Sequence, residues 1–232
     1  MPRTMPTIPA GPAAFPEMLL RGLYAVTPEE ADETRLLAMA GAALVGGAAL
    51  LQFRDKSDDA AWRLRLASAM QAMCREHGAC FIVNDDLELA RQIDADGVHL
   101  GADDGDLAAA RRALPGKVIG ASCYADFGRA RAAVAAGADY IAFGAVCASP
   151  TKPDAARAPL DLFARCHAEL KVPACAIGGI TLADAPRIIA AGADMLAVIT
   201  DLFAASDIRG RAAAYQHLFE ESSHDLPQPA TL

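Results

Sequence analysis

The stretch FIVNDDLELARQIDADGVHLGADD, residues 81–104, sets carboxylates directly behind two apolar runs: Asn84-Asp85-Asp86 after the first and Asp103-Asp104 after the second. Carboxylates brought together repel one another unless a cation lies between them. A few oxygen donors left partly open suit Mg²⁺ shared with a substrate phosphate. Asp also caps helix N-termini as a matter of course, so the stretch alone leaves both readings open. A second group is Gln52, Arg54 and Lys56, spaced at alternate positions. Alternation on an extended segment puts all three on one face. Arginine grips phosphate with a fork and lysine adds a compact charge. Further polar residues stand behind later apolar runs: Ser122 and Tyr124, then Ser149-Pro150-Thr151-Lys152, and Ile199-Thr200. Gly178-Gly179 is another such site, where bare backbone N–H groups can approach a phosphate closely. Two anion sites of different kind result. Arg54, Lys56, Lys152 and a carboxylate-held metal suit a pyrophosphate, whereas backbone amides and hydroxyls suit a monophosphate.

Acid–base machinery is missing from this inventory. His99 lies inside an apolar run and reads as a satisfied interior residue rather than a general base, and His77, His167, His217 and His224 fall on helices or the tail. No Ser/His/Asp arrangement, P-loop or strand-borne GxGxxG is present. Phosphate handles and a metal without an acid–base pair favour a reaction in which pyrophosphate leaves.

Positioning these residues requires strands and helices in alternation. Strands are expected at Leu23–Thr27, Ala49–Phe53, Cys80–Asn84, Gly97–Gly101, Lys117–Cys123, Tyr140–Val146, Pro173–Ile177 and Met195–Thr200. Helices are expected between them. The first starts at Thr27-Pro28, with a capping residue and proline at its first position, and stops at Gly46-Gly47. Others follow from Ser57-Asp58-Asp59 to Cys74, at Leu87–Ile93, Asp106–Leu114, Ala125–Ala136, Leu160–Leu170 and Leu182–Ala191, with a last one over Arg209–Glu221. Ala136-Gly137-Ala138-Asp139 and Ala191-Gly192-Ala193-Asp194 are near-identical turns, and Asp94-Ala95-Asp96-Gly97 is a looser copy in which glycine is expected to end the helix. Most strands are continuously apolar, as a sheet buried on both faces demands. A single-domain (β/α)₈ barrel is the simplest closure, with its chemistry at the C-terminal strand ends. An open doubly wound sheet is the alternative.

Composition sets the outer bounds. The chain has 232 residues, 53% of them hydrophobic and 22% charged, with a net charge of −8 that argues against a general nucleic-acid surface. No run is long and charge-free enough to span a bilayer. The six cysteines show no CxxC pair or zinc spacing, and they read as small buried groups in a reducing, cytoplasmic setting. Residues 1–19 read as a proline-rich disordered leader, 20–222 as the barrel and catalytic domain, and 223–232 as a polar tail.

The motifs LYAVT, LQFRDK, FIVNDD, DGVHLGADD, IGASCY, GADYIAFGAV, SPTKPD, AIGGIT and GADMLAVIT occur in order over roughly Leu20–Ala205. With them the chain resembles the thiamine phosphate synthase (thiamine-phosphate pyrophosphorylase) family. The resemblance implies a barrel that joins a hydroxymethylpyrimidine diphosphate to a thiazole phosphate and releases pyrophosphate. It implies that Gln52, Arg54, Lys56 and Asn84 hold the pyrimidine diphosphate and that Asp85 and Asp104 hold Mg²⁺. Ser122 and Lys152 would contact the diphosphate, including as it departs. Ser149, Thr151, Gly179, Ile199 and Thr200 would hold the thiazole phosphate. Ala102, Phe53, Ser149-Pro150, Tyr124 and Thr200 depart from the family's usual Gln, Tyr, Thr-nonproline, His and Ser.

Two other functions stay in view. A thiazole tautomerase of the same barrel would not need Gln52, Arg54, Lys56, Asn84 and Lys152 together, and it relies on a histidine where Tyr124 stands. A barrel that only binds a phosphorylated ligand would not need the metal carboxylates. The expected partners are small molecules, with no nucleic acid and no membrane, and assembly into a homo-oligomer stays open.

Overall fold

Eight short strands pair only with their sequence neighbours, all in parallel, and the last closes on the first. The computed structural model describes residues 20–101, 105–148 and 157–224. The strands are β1 (Gly22–Val26), β2 (Leu50–Phe53), β3 (Cys80–Asn84), β4 (Gly97–Leu100), β5 (Val118–Tyr124), β6 (Tyr140–Gly144), β7 (Ala174–Ile177) and β8 (Met195–Val198). The helices between them are α1 (Glu33–Val45), α2 (Ala60–His77), α3 (Leu87–Gln92), α4 (Leu107–Ala113), α5 (Phe127–Ala135), α6 (Asp161–Glu169) and α7 (Ala185–Ala190). The short α8 (Thr200–Phe203) and the long α9 (Ile208–His224) follow β8. This is the expected (β/α)₈ barrel, and the open sheet is excluded by the β1–β8 register, in which Tyr24 pairs with Ala197. Residues 1–19, expected as a leader, lie outside the described residues, as do 225–232 of the expected tail 223–232; Ser223 and His224 belong to α9, which runs past the expected domain end at 222.

Strand alternation splits the buried residues into two layers. Leu23, Ala25, Leu51, Phe81, Val83, Ile119, Ile141 and Leu196 face the helices. Tyr24, Val26, Leu50, Ile82, Val118, Tyr140, Cys175 and Met195 fill the barrel's interior. Every strand therefore buries both faces, which is why its sequence is apolar without alternation. All six cysteines are free and buried in these layers. Among the described residues no helix is long and apolar enough to cross a membrane.

The recurrent Asp turns have a definite task at the N-terminal end of the barrel. Asp96, Asp139 and Asp194 each precede an even-numbered strand, and their carboxylates accept the backbone N–H of Phe81, Ile119 and Ala174 in the preceding odd strand, at 2.9, 2.7 and 2.7 Å. Gly137 and Gly192 take φ values of +104° and +100° to make the turn. In the looser copy Asp94 adopts the positive φ, at 56°, not the expected glycine; Gly97 is already the first residue of β4. Ala49 holds the corresponding place before β2. There the Leu23 N–H goes instead to Gln216 Oε1 of α9, at 3.3 Å.

Most boundaries shift by one to three residues, and two of the differences have a plain local cause. Helix α1 starts at Glu33 behind Asp32, whose side chain accepts the Arg35 N–H, and not at Thr27-Pro28. Thr27 is buried, its hydroxyl accepting the Arg54 N–H at 2.9 Å and donating to the Arg54 carbonyl at 3.2 Å. A threonine bonded sideways to the next strand cannot also cap a helix. Likewise β8 stops at Val198, and Thr200 opens α8 rather than closing the strand.

Candidate active site

Inward parity carries a row of polar side chains to the C-terminal mouth. Gln52 on β2 is buried at 4% exposure and donates its amide N–H to the Tyr24 hydroxyl at 2.7 Å. Asn84 closes β3 opposite His99 of β4, and His99 in turn lies opposite Gly120 of β5. The His99 ring is buried. Its Nδ1 meets the Tyr140 hydroxyl at 2.9 Å, and its Nε2 meets the Ser122 hydroxyl at 2.8 Å. Burial lowers its pKa to about 4, so the ring is neutral at physiological pH. Burial likewise pushes the phenols of Tyr24 and Tyr140 up, and both stay protonated. His99 is thus a satisfied interior residue, as its place in the strand suggests.

Asp85 is the first residue beyond β3 and takes φ 59°, turning the chain sharply at the strand end. Its carboxylate accepts the Asn84 side-chain N–H and, at 3.1 Å, the Gly101 backbone N–H beyond β4. Each oxygen thereby accepts one hydrogen bond and keeps a lone pair for a cation, a donor chemistry that fits Mg²⁺. Asp86 has a separate role. It caps α3 through Leu89 N and pairs with Arg63 at 2.5 Å. The neighbouring carboxylates thus divide, with Asp86 the ordinary helix cap. Asp104 lies outside the described residues, and among those described no group of three or more His, Cys, Asp or Glu surrounds a common point.

The expected inward row of Gln52, Arg54 and Lys56 is broken after its first member, because β2 ends at Phe53. Arg54 sits at the rim with its guanidinium 3.2 Å from Glu29. Lys56 is exposed in an adjoining groove of about 600 Å³ lined also by Glu29, Glu30, Asp55 and Trp62. Period-two alternation holds only while the backbone stays extended.

A separate cavity of about 590 Å³ opens at β7 and β8, lined by Gly178, Gly179, Thr181, Ile199, Thr200 and Asp201 among others. Gly179 has φ +68°, and a Cβ there would stand 2.6 Å from the Ala148 carbonyl oxygen, so only glycine fits. Asp201 anchors this edge to α9 by accepting from Arg211 and from the Tyr215 hydroxyl, both at 2.7 Å. Ser149, Thr151 and Lys152 lie outside the described residues. Tyr124 is 56% exposed beneath the Arg129 guanidinium, at φ 51°.

The family model for thiamine monophosphate synthase matches residues 23–202, from the first barrel strand to the cavity at β8. The chain belongs to the thiamine monophosphate synthase family. A thiamine-phosphate synthase of Aromatoleum aromaticum is 59% identical over 207 residues, covering 89% of this chain and all of that one. One from Chromobacterium violaceum is 61% identical, covering 84% and 94%. Among solved structures, a thiamine phosphate pyrophosphorylase from Pyrococcus furiosus superposes with a TM-score of 0.78 at 30% identity, over 87% of this chain and 96% of that one. The activity is that of the family, a transferase reaction that makes thiamine phosphate and releases pyrophosphate.

Residues without an expected role at the site hold this mouth together. Tyr24 and Tyr140 link Gln52 to His99 across the interior, and Thr27 ties the ends of β1 and β2. A signal for the tyrosines exists in the sequence, since a hydroxyl inside a continuously apolar strand needs a partner. Which partner it finds depends on barrel closure.

Proposed function

We propose that the pyrimidine diphosphate lies across the mouth of β2 to β5 and the thiazole phosphate in the cavity at β7 and β8. Gln52 and Asn84 contact the pyrimidine side, with Arg54 and Lys56 turned onto the diphosphate. The Arg54–Glu29 contact is solvent-exposed on the carboxylate side, and such pairs hold by only about 0–1 kcal/mol, so an incoming diphosphate displaces Glu29 readily. Asp85 and Asp104 would hold Mg²⁺, which would supply positive charge against the diphosphate oxygens. Ser122 and Lys152 contact the diphosphate as it departs. Ser149, Thr151, Gly179 and the backbone of Ile199 and Thr200 hold the thiazole phosphate, beside the ring whose nitrogen captures the pyrimidine carbocation.

Positioning and stabilisation of developing charge supply most of the rate, and no side chain has to serve as general base. The observation that carries this reading is the convergence of Gln52, Asn84, Asp85 and Ser122 on one mouth, next to a distinct cavity lined by Gly179, Ile199 and Thr200. Neither the tautomerase nor the binding-only barrel requires both. The enzyme is read as cytoplasmic, in keeping with six unpaired cysteines. The test mixes purified protein with both substrates and follows pyrophosphate. Release is expected only with both substrates and Mg²⁺, and it stops on chelation. Undiminished release after chelation would remove the metal assignment, and no release with both substrates and Mg²⁺ would remove the site map.

A further inference from the structure

Polar side chains inside the barrel form one unbroken chain from β2 to β5. It runs from the Gln52 amide to the Tyr24 hydroxyl, on to the Tyr140 hydroxyl at 2.9 Å, then through the His99 ring to Ser122. We propose that Gln52, Tyr24, Tyr140 and His99 act as a one-way hydrogen-bond relay that positions Ser122, presenting its hydroxyl proton to the leaving diphosphate. This rests on Ser122's proposed contact with that diphosphate.

The direction follows from counting protons. Each phenol has one O–H. Tyr24 accepts from the Gln52 N–H, and among the described residues the other hydrogen-bond partner of its hydroxyl is Tyr140, so its own proton goes there. Tyr140 then has its proton free for His99 Nδ1, which must be the bare nitrogen. The neutral ring keeps its remaining proton on Nε2 and donates it to Ser122 Oγ. Ser122 accepts from below and can donate only outward, toward the mouth. With the reverse polarity Ser122 would spend its proton on His99 and offer lone pairs to an anionic oxygen, which is repulsive. Direction is therefore set at Gln52, so the residue proposed to touch the pyrimidine governs the one proposed to meet the diphosphate.

The packing holds the relay in place. Tyr140 is fully buried and stacks on His99 with ring centroids 5.6 Å apart. Gly120 makes room for it, since a Cβ at that position would clash with Tyr140 Cζ and with its hydroxyl.

Tyr140→Phe removes the hydroxyl and keeps the ring. Turnover is expected to fall about tenfold, the usual cost of losing an orienting partner behind a contact residue. The KM for the pyrimidine diphosphate should stay within about twofold, because the contact itself remains. In a Ser122→Ala background the same change should cost nothing further, since the relay would have no end to position. Nitrogen-15 shifts of the imidazole should show His99 as the Nε2–H tautomer, replaced in Tyr140→Phe by a mixture. Additive losses in the double variant, or an Nδ1–H ring in the unaltered enzyme, would overturn the relay while leaving the site map standing. Unreduced turnover in Ser122→Ala alone would remove the diphosphate contact and the relay with it. Should Tyr140→Phe fail to fold, Tyr24→Phe enters the same cycle.

Discussion

Asp85 occupies the left-handed region at φ 59°, a conformation that Asp tolerates better than most residues but still at a cost. Its carboxylate is held from two sides, by Asn84 and by the Gly101 N–H. The carboxylate is thereby fixed at the strand end before any ligand arrives. Asp85→Ala is therefore expected to lower turnover by about 10²–10³, the range for losing one preorganised electrostatic contact, with the circular dichroism unchanged and the melting temperature lower by several degrees, because the Gly101 N–H loses its acceptor and alanine disfavours the φ. Lys152→Ala is expected to lower turnover to the same degree by removing a cation from the departing diphosphate. A near-wild-type rate in a coupled pyrophosphate assay would reject either role. The carboxylates were legible in the sequence as a pair of clusters, but their division of labour was not. Asp85 and Asp86 differ only in which way the turn after β3 throws them, one over the mouth and one onto α3 and Arg63.

Among the elements, the helix-to-strand turns carry the most explicit stabilisation. Asp139 accepts the buried Ile119 N–H and is paired with Arg111, which also donates to the Gly137 carbonyl. Removing the acceptor leaves a backbone N–H unsatisfied at the foot of β5. Asp139→Ala should thus cost about 1–3 kcal/mol, lowering the melting temperature by several degrees at about 2–4 °C per kcal/mol for a domain of this size. Kinetics should be nearly unaffected, because this end of the barrel is remote from the mouth. A thermal melt within one degree of the parent would discount the clamp. The repeat was visible in the sequence as GAD, yet its purpose was not, since the N–H it satisfies lies about twenty positions earlier. The same ignorance of neighbours placed the start of α1 at Thr27. The local pattern of Thr, Pro and Glu is a sound helix start, and only the adjoining Arg54 backbone overrides it.

At the scale of the whole molecule, barrel closure divides the mouth into two stations. One is formed by the ends of β2 to β5, the other by β7 and β8. A change in one station should show in the binding of one substrate. Gly179→Ala forces a Cβ against the Ala148 carbonyl, at a φ that alanine disfavours. It should raise the KM for the thiazole phosphate at least about tenfold, equivalent to one charge-assisted hydrogen bond at about 1.5 kcal/mol, and leave the KM for the pyrimidine diphosphate near its original value. Equal changes in both would contradict the two-station mouth. The sequence by itself determined the eight alternating elements, because two-sided burial writes itself into continuously apolar strands and glycine or Asp turns. It also determined which residue types gather at the strand ends. Tertiary structure alone decided that Gln52 stays inside while Lys56 turns out into a groove, since strand length is set by pairing with neighbours. It alone joined Tyr24, Tyr140, His99 and Ser122 into one line, because a hydrogen bond depends on distances across the barrel that no spacing along the chain encodes.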